Sequence, residues 1–248
     1  MLTLDQINAE WLQFEFYIKH YIKEPRSNKL WALYLQYMDR IKTLPAASNP
    51  KHHSAFPGGH IYHTNNVIKN ALALHDVWVN SGVNVNYTVE ELVFAAVNHD
   101  LGKMGDHEQV NYIDNPSQWH KENLGNLYAY NPELEYMSVP DRGLFMLQLH
   151  NIPVSRNEYI AIKIHDGLYA DANKEYLMGH KLHCSMPFVL HQADLMAARI
   201  EFEQQYLLAP KPEKKEPIQQ RKQTKPKAFE LVNNSDKSSG LVNAFDNL

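Results

Sequence analysis

Ala95-Ala96-Val97-Asn98-His99-Asp100-Leu101-Gly102-Lys103 carries the strongest signal in this chain. An apolar run ends in an adjacent imidazole and carboxylate, and a glycine then stops it. Upstream, Thr88 and Glu91 have the Ser/Thr-x-x-Glu spacing of a capping box, so a helix is expected from about Val89 through Leu92, Val93 and Ala96 to the His-Asp pair. His99 and Asp100 then fall in its last turn. There the macrodipole is negative and backbone carbonyls lack partners, a setting that favours a bound cation. An imidazole beside a carboxylate suits a first-row divalent metal better than Ca²⁺, which prefers all-oxygen shells. One pair does not make a site, so further ligands must come from other segments.

The flanking segments read as helices with almost no strand signal, which predicts an all-α fold. Thr3-Leu4-Asp5-Gln6 starts a helix carrying Ile7, Trp11, Phe14, Ile18, Tyr21 and Ile22 at helical spacing. A second is expected from about Asn28 to Leu44, and both are read as packing elements. Residues 45–59 are rich in turn residues and include His52-His53 and Gly58-Gly59. They lead into a helix from about His60 to Asn80. On it His60, His63 and Thr64 share the core-facing side with Val67, Ala71 and Leu74, while Asn65, Asn66, Lys69 and Asn70 point elsewhere. Downstream, Trp119-His120 through Leu124, Leu127 and Tyr128 is expected to be helical, and Asp141 to open a short helix through Leu149. Ser155 and Glu158 repeat the capping box ahead of a helix that ends at His165-Asp166-Gly167, a second helix closed by a His-Asp pair. The last long helix runs from about Met186 to Leu208 and carries Asp194 among apolar residues, where a carboxylate is expensive unless paired or bound to metal.

At 248 residues the chain can bury one substantial core. Three regions are expected: N-terminal helices over 1–44 that pack on the core, the main domain over 45–208, and a tail over 209–248. No leader and no apolar run of spanning length stand out, and the one cysteine, Cys184, excludes an intrachain disulfide. A soluble cytoplasmic protein without a membrane partner is therefore expected. Histidine is the outlier: of fourteen, all except His20 lie between His52 and His191. Residues 211–248 carry eight Lys/Arg against five Asp/Glu, a net +3, which leaves sixteen against twenty-three, a net −7, for residues 1–210. An acidic body is a poor surface for non-specific nucleic-acid binding, so a phosphate substrate would need metal ions or local lysines. The tail composition cannot bury enough apolar area to fold, so a disordered basic linker is expected, closing on the apolar-acidic stretch Leu241-Val242-Asn243-Ala244-Phe245-Asp246-Asn247-Leu248. That stretch is read either as a frayed end or as a docking motif for a protein partner.

Three motifs in order, Gly58-Gly59-His60-Ile61-Tyr62-His63-Thr64, then His99-Asp100-Leu101-Gly102-Lys103, then Ala193-Asp194-Leu195, resemble the HD superfamily of metal-dependent phosphohydrolases over roughly residues 45–205. The resemblance implies an HD-type helical bundle in which His63, His99, Asp100 and Asp194 converge on one divalent metal such as Mn, Fe or Mg. His120, followed by Leu124-Gly125, and His165 at the end of Ala161-Ile162-Lys163-Ile164 look like the extra ligands of members that hold two metals, with Asp100 bridging. In those members the position after the second of these is commonly a histidine, and here it is Asp166. Leu44-Pro45-Ala46-Ala47, His52-His53 and Gly58-Gly59 look most like the HD domain of YhaM-type exoribonucleases. The N-terminal OB-fold of those enzymes has no counterpart in the sequence, so hydrolysis is the firmer expectation and processive RNA binding the weaker one.

The implied activity is hydrolysis of a phosphodiester or phosphomonoester in a nucleotide or short oligonucleotide, with Asp100 at the chemistry. Lys103 is the expected phosphate contact, and His52 and His53 are further substrate contacts from the loop. His60 and His191 are expected to support ligands, His191 by orienting Asp194. A different class of function is also open: a metal-stabilised helical adaptor that recruits a partner through its tail.

Overall fold

The computed structural model describes residues 1–179 and 182–207. The fold is all-α, with α1 (Leu4–Tyr21), α2 (Arg26–Gln36), α3 (Met38–Thr43), α4 (Gly59–Asn80) and α5 (Val89–Asn98) ahead of a 3₁₀ turn at Leu101–Met104. There follow α6 (Gln118–Leu124), α7 (Val139–Leu149), α8 (Arg156–Lys163), α9 (Lys174–Leu177) and α10 (Met186–Phe202), which continues into a π-type turn at Glu203–Leu207. The expected tail, 209–248, lies outside the described residues.

α5 is the central element because it is apolar on every side: Leu92, Val93, Phe94, Ala95, Ala96 and Val97 are all buried. Its neighbours are α1, α4, α8 and α10, and α4 packs lengthwise on α10. Ile7, Trp11, Phe14 and Ile18 form the buried stripe of α1, with Phe14 edge-on to Tyr34 of α2 at 4.7 Å. The N-terminal helices therefore share one core with the rest of the described chain. Both expected capping boxes are present, at Thr88/Glu91 and Ser155/Glu158, and the expected helix start at Thr3 is closed by a third, Thr3/Gln6. Among the described residues no helix is long and apolar enough to cross a membrane.

Four local expectations are corrected. The helix expected over 28–44 is two helices broken at Tyr37, whose φ of −109° and ψ of 19° leave the helical range. Tyr34 and Ile41 lie seven residues apart and are both buried, so the apolar stripe stays in phase across the break and periodicity could not reveal it. The helix expected through Tyr128 ends at Gly125, whose left-handed φ of 68° closes α6. Tyr128 instead lies in a short antiparallel ribbon of β1 (Tyr112–Asp114) and β2 (Tyr128–Tyr130), in which Tyr112 pairs with Tyr130. Asn65 is buried, not turned away, because its Nδ2 donates to the carbonyl and carboxylate of Glu10 at 2.9 and 2.6 Å. Gly102 does not stop α5; it sits inside the 3₁₀ turn, where a Cβ would come within 2.1 Å of the Val139 carbonyl of α7. Its role is close approach of two backbones.

Candidate metal centre

Four helices deliver the donor groups. α4 supplies His63 and the end of α5 supplies His99 with Asp100. His165 and Asp166 follow α8, and α10 contributes Asp194. His99 and His165 are placed in the same way. Each Nδ1–H donates to the carbonyl three residues earlier, to Ala96 at 2.7 Å and to Ile162 at 2.8 Å. That bond fixes the tautomer and turns Nε2 inward. His165 Nε2 lies 3.5 Å from Asp100 Oδ1 and 3.6 Å from Asp166 Oδ1. His63 Nε2 lies 3.0 Å from Asp194 Oδ1. The rings form a row, with centroids 4.3 Å apart for His53 and His63, 5.6 Å for His63 and His99, and 5.0 Å for His99 and His165.

Donor atoms of His63, His99 and Asp194 all lie within 4.8 Å of one another, and this group can hold a metal ion. The fit is supported by His99. Its Nε2 is buried without a hydrogen-bond partner, although Asp100 Oδ2 lies 3.4 Å away. Because Nδ1 carries the proton, that Nε2 presents a lone pair to the cluster. Two or more imidazoles with carboxylates suit a first-row divalent ion.

The electrostatics fit the same reading. Burial alone would raise both carboxyls, but Lys103 and His99 hold Asp100 well below the usual carboxylate range, and His63 with His99 does the same for Asp194. Burial pushes the imidazoles down, yet Glu201 and Asp194 raise His63 to about 10, and Asp100 and Asp166 raise His165 to about 9. By contrast burial, reinforced by His63, pushes His53 down to about 3, and His60, buried throughout, also falls to about 3. Protons therefore sit where carboxylates surround an imidazole, in the position a cation would take.

Of the residues expected at the site, the structure brings together His63, His99, Asp100, His165 and Asp194, with the His53 ring tilted against that of His63. His120 is not among them: it is exposed on α6 and its ring meets that of Trp119 at 5.3 Å. Lys103 points inward, with Nζ 2.6 Å from Asp100 Oδ2 and 2.8 Å from the Ala46 carbonyl, so it is an ion-pair partner of Asp100 and does not line the cleft where His52 and His53 lie. His191 donates to the His165 carbonyl at 2.7 Å rather than to Asp194. His52 is exposed and lines a cleft of about 580 Å³ with Lys51, His53, Asp166, Tyr169, Asp194, Arg199 and Phe202. A larger cleft of about 820 Å³, beside Leu144, Phe145 and Tyr159, contains none of the clustered groups. Chemistry, not size, selects the smaller one.

Sequence reasoning passed over Glu201, which is buried on α10 with both carboxylate oxygens 3.2 Å from His63 Nδ1. The available signal was its spacing, seven residues after Asp194 and therefore on the same helical face. In comparisons with known proteins the chain matches no family model, no curated protein and no solved structure.

Proposed function

We propose that this chain is a metal-dependent phosphohydrolase of the HD superfamily, cutting a phosphodiester or phosphomonoester bond in a nucleotide or short oligonucleotide. The observation that carries the reading is the meeting of His63, His99 and Asp194 donors within 4.8 Å, with Asp100 and His165 adjoining. A divalent ion such as Mn²⁺ held there would supply an acidified water and positive charge for the phosphoryl oxygens. His63, His99, Asp100 and Asp194 are its ligands, and His165 with Asp166 flanks Asp100 for a second ion. Lys103 keeps the Asp100 carboxylate ionised and oriented through its 2.6 Å contact. Lys51 and His52 line the adjoining cleft and give it groups that receive phosphate. The lone cysteine suits a reducing cytoplasm.

The test is hydrolysis of a panel of nucleotides, oligonucleotides and a generic phosphodiester by purified protein with Mn²⁺. Wild type is expected to hydrolyse at least one class, and the His99→Ala, Asp100→Ala double variant none. Equal activity in the double variant rejects the proposal.

A further inference from the structure

We infer that Glu201 is a positioning residue for the metal site, one that selects which nitrogen of His63 faces the metal and strengthens that nitrogen as a ligand. This rests on the metal reading above and adds to it a residue outside the expected ligand set.

Glu201 is only 1% exposed, and among the described residues it has no Lys or Arg partner. A buried carboxylate left in that state is costly, so its bonds must account for it. Both oxygens lie 3.2 Å from His63 Nδ1; Oε2 accepts from the Ser54 hydroxyl at 2.7 Å, and Oε1 from Asn66 Nδ2 at 2.8 Å. An imidazole has two nitrogens, and the ring can present either one. By accepting a hydrogen bond from Nδ1–H, Glu201 leaves Nε2 facing Asp194 and the donor cluster. Its negative charge also stabilises the positive charge that the ring acquires when Nε2 donates to a cation. A neutral acceptor in the same place would keep the orientation and lose the charge.

The Ser54 bond raises a competing role. Ser54 has a left-handed φ of 49°, its N–H donates to Gln205 Oε1 at 3.2 Å, and it belongs to the loop that carries His52 and His53. Glu201 could therefore act only as a latch on that loop, and the experiment must separate the two roles.

Mn²⁺ binding to the full chain, measured by titration calorimetry at one pH, does so. Glu201→Gln is expected to bind Mn²⁺ about 10- to 100-fold more weakly than wild type, with a melting temperature in chelator below that of wild type, because protonated His63 loses a buried counter-charge. Ser54→Ala, which removes the latch and leaves His63 and Glu201 paired, is expected to bind as wild type does. Equal binding by Glu201→Gln and wild type overturns the inference, as does a Ser54→Ala loss as large as that of Glu201→Gln. Should the glutamine variant not fold, nitrogen-15 resonances of wild-type histidines with Zn²⁺ decide the matter. His63 protonated at Nδ1 and metal-bound at Nε2 supports the inference, and the reverse overturns it. A wild type that binds no divalent ion removes the metal reading and this inference together. Binding and hydrolysis by wild type with an unaffected glutamine variant remove this inference alone.

Discussion

Lys103 shows how a single residue can matter to a candidate metal site without being one of its converging donors. Its side chain is 17% exposed and pairs with an almost fully buried Asp100 at 2.6 Å. Removing one partner of a buried pair leaves the other charge uncompensated, at a cost of about 3–5 kcal/mol, with partial exposure placing this case at the low end. Lys103→Met is therefore expected to lower the urea midpoint in chelator, and Mn²⁺ to recover part of the loss by restoring positive charge beside Asp100. A midpoint equal to wild type in chelator would contradict this. The imidazoles give a pH prediction. Because the proton affinities of His63 and His165 are raised to about 10 and 9, both carry protons at pH 7 without metal, and an ion must displace them. Apparent Mn²⁺ affinity should therefore rise with pH between 7 and 9, by up to about two logarithmic units per pH unit if both protons leave. Calorimetry in buffers of different ionisation enthalpy reads the released protons, and no release would contradict the raised values. His63, His99 and Asp194, whose donors converge, were legible because polar residue types stand out beside apolar helical runs and the three-motif resemblance named them together. Glu201 was not, because Glu201-Phe202-Glu203-Gln204 reads as the solvated end of a helix and its partner His63 lies 138 positions away.

Elements whose signals are local were the readable ones. The capping boxes at Thr88 and Ser155 close on residues three positions away, so their geometry is written in four consecutive letters. The break at Tyr37 and the β1–β2 ribbon were hidden for opposite reasons. In the first the apolar phase continues through the break, and in the second the strands are three residues long, too short to show alternation. Gly102 was read as a stop signal because a glycine after an apolar run usually means that. Its actual constraint, α7 lying across the 3₁₀ turn, is a tertiary contact. Gly102→Ala is expected to destabilise the fold by about 1–3 kcal/mol, since backbone atoms at 2.1 and 2.9 Å cannot give way as a side chain does. A denaturant midpoint within error of wild type would show that α7 can shift freely. The same substitution should also weaken Mn²⁺ binding, because Gly102 lies two residues after Asp100.

Over the whole molecule, the donors come from positions 63 to 194 on helices that meet only in the folded state. Their arrangement depends on contacts remote from the site. Arg26 of α2, for example, pairs with buried Glu158 of α8 at 2.6 Å and lies 3.9 Å over the Phe94 ring of α5, joining two helices that lead into His99 and His165. An ion bound by groups so far apart in sequence has no comparable site in the unfolded chain, so its binding energy adds to global stability. At a Mn²⁺ concentration about 100 times the dissociation constant the gain is about 2.7 kcal/mol. For a domain of this size that corresponds to a rise of about 5–10 °C in melting temperature over the protein in chelator. Asp194→Asn should abolish the difference, because it removes one of the three converging donors while leaving the helix register intact. Scanning calorimetry of both proteins with Mn²⁺ and with chelator provides the comparison. A shift that persists in the variant would place the ion elsewhere, and no shift in wild type would mean that the cluster holds protons rather than a metal.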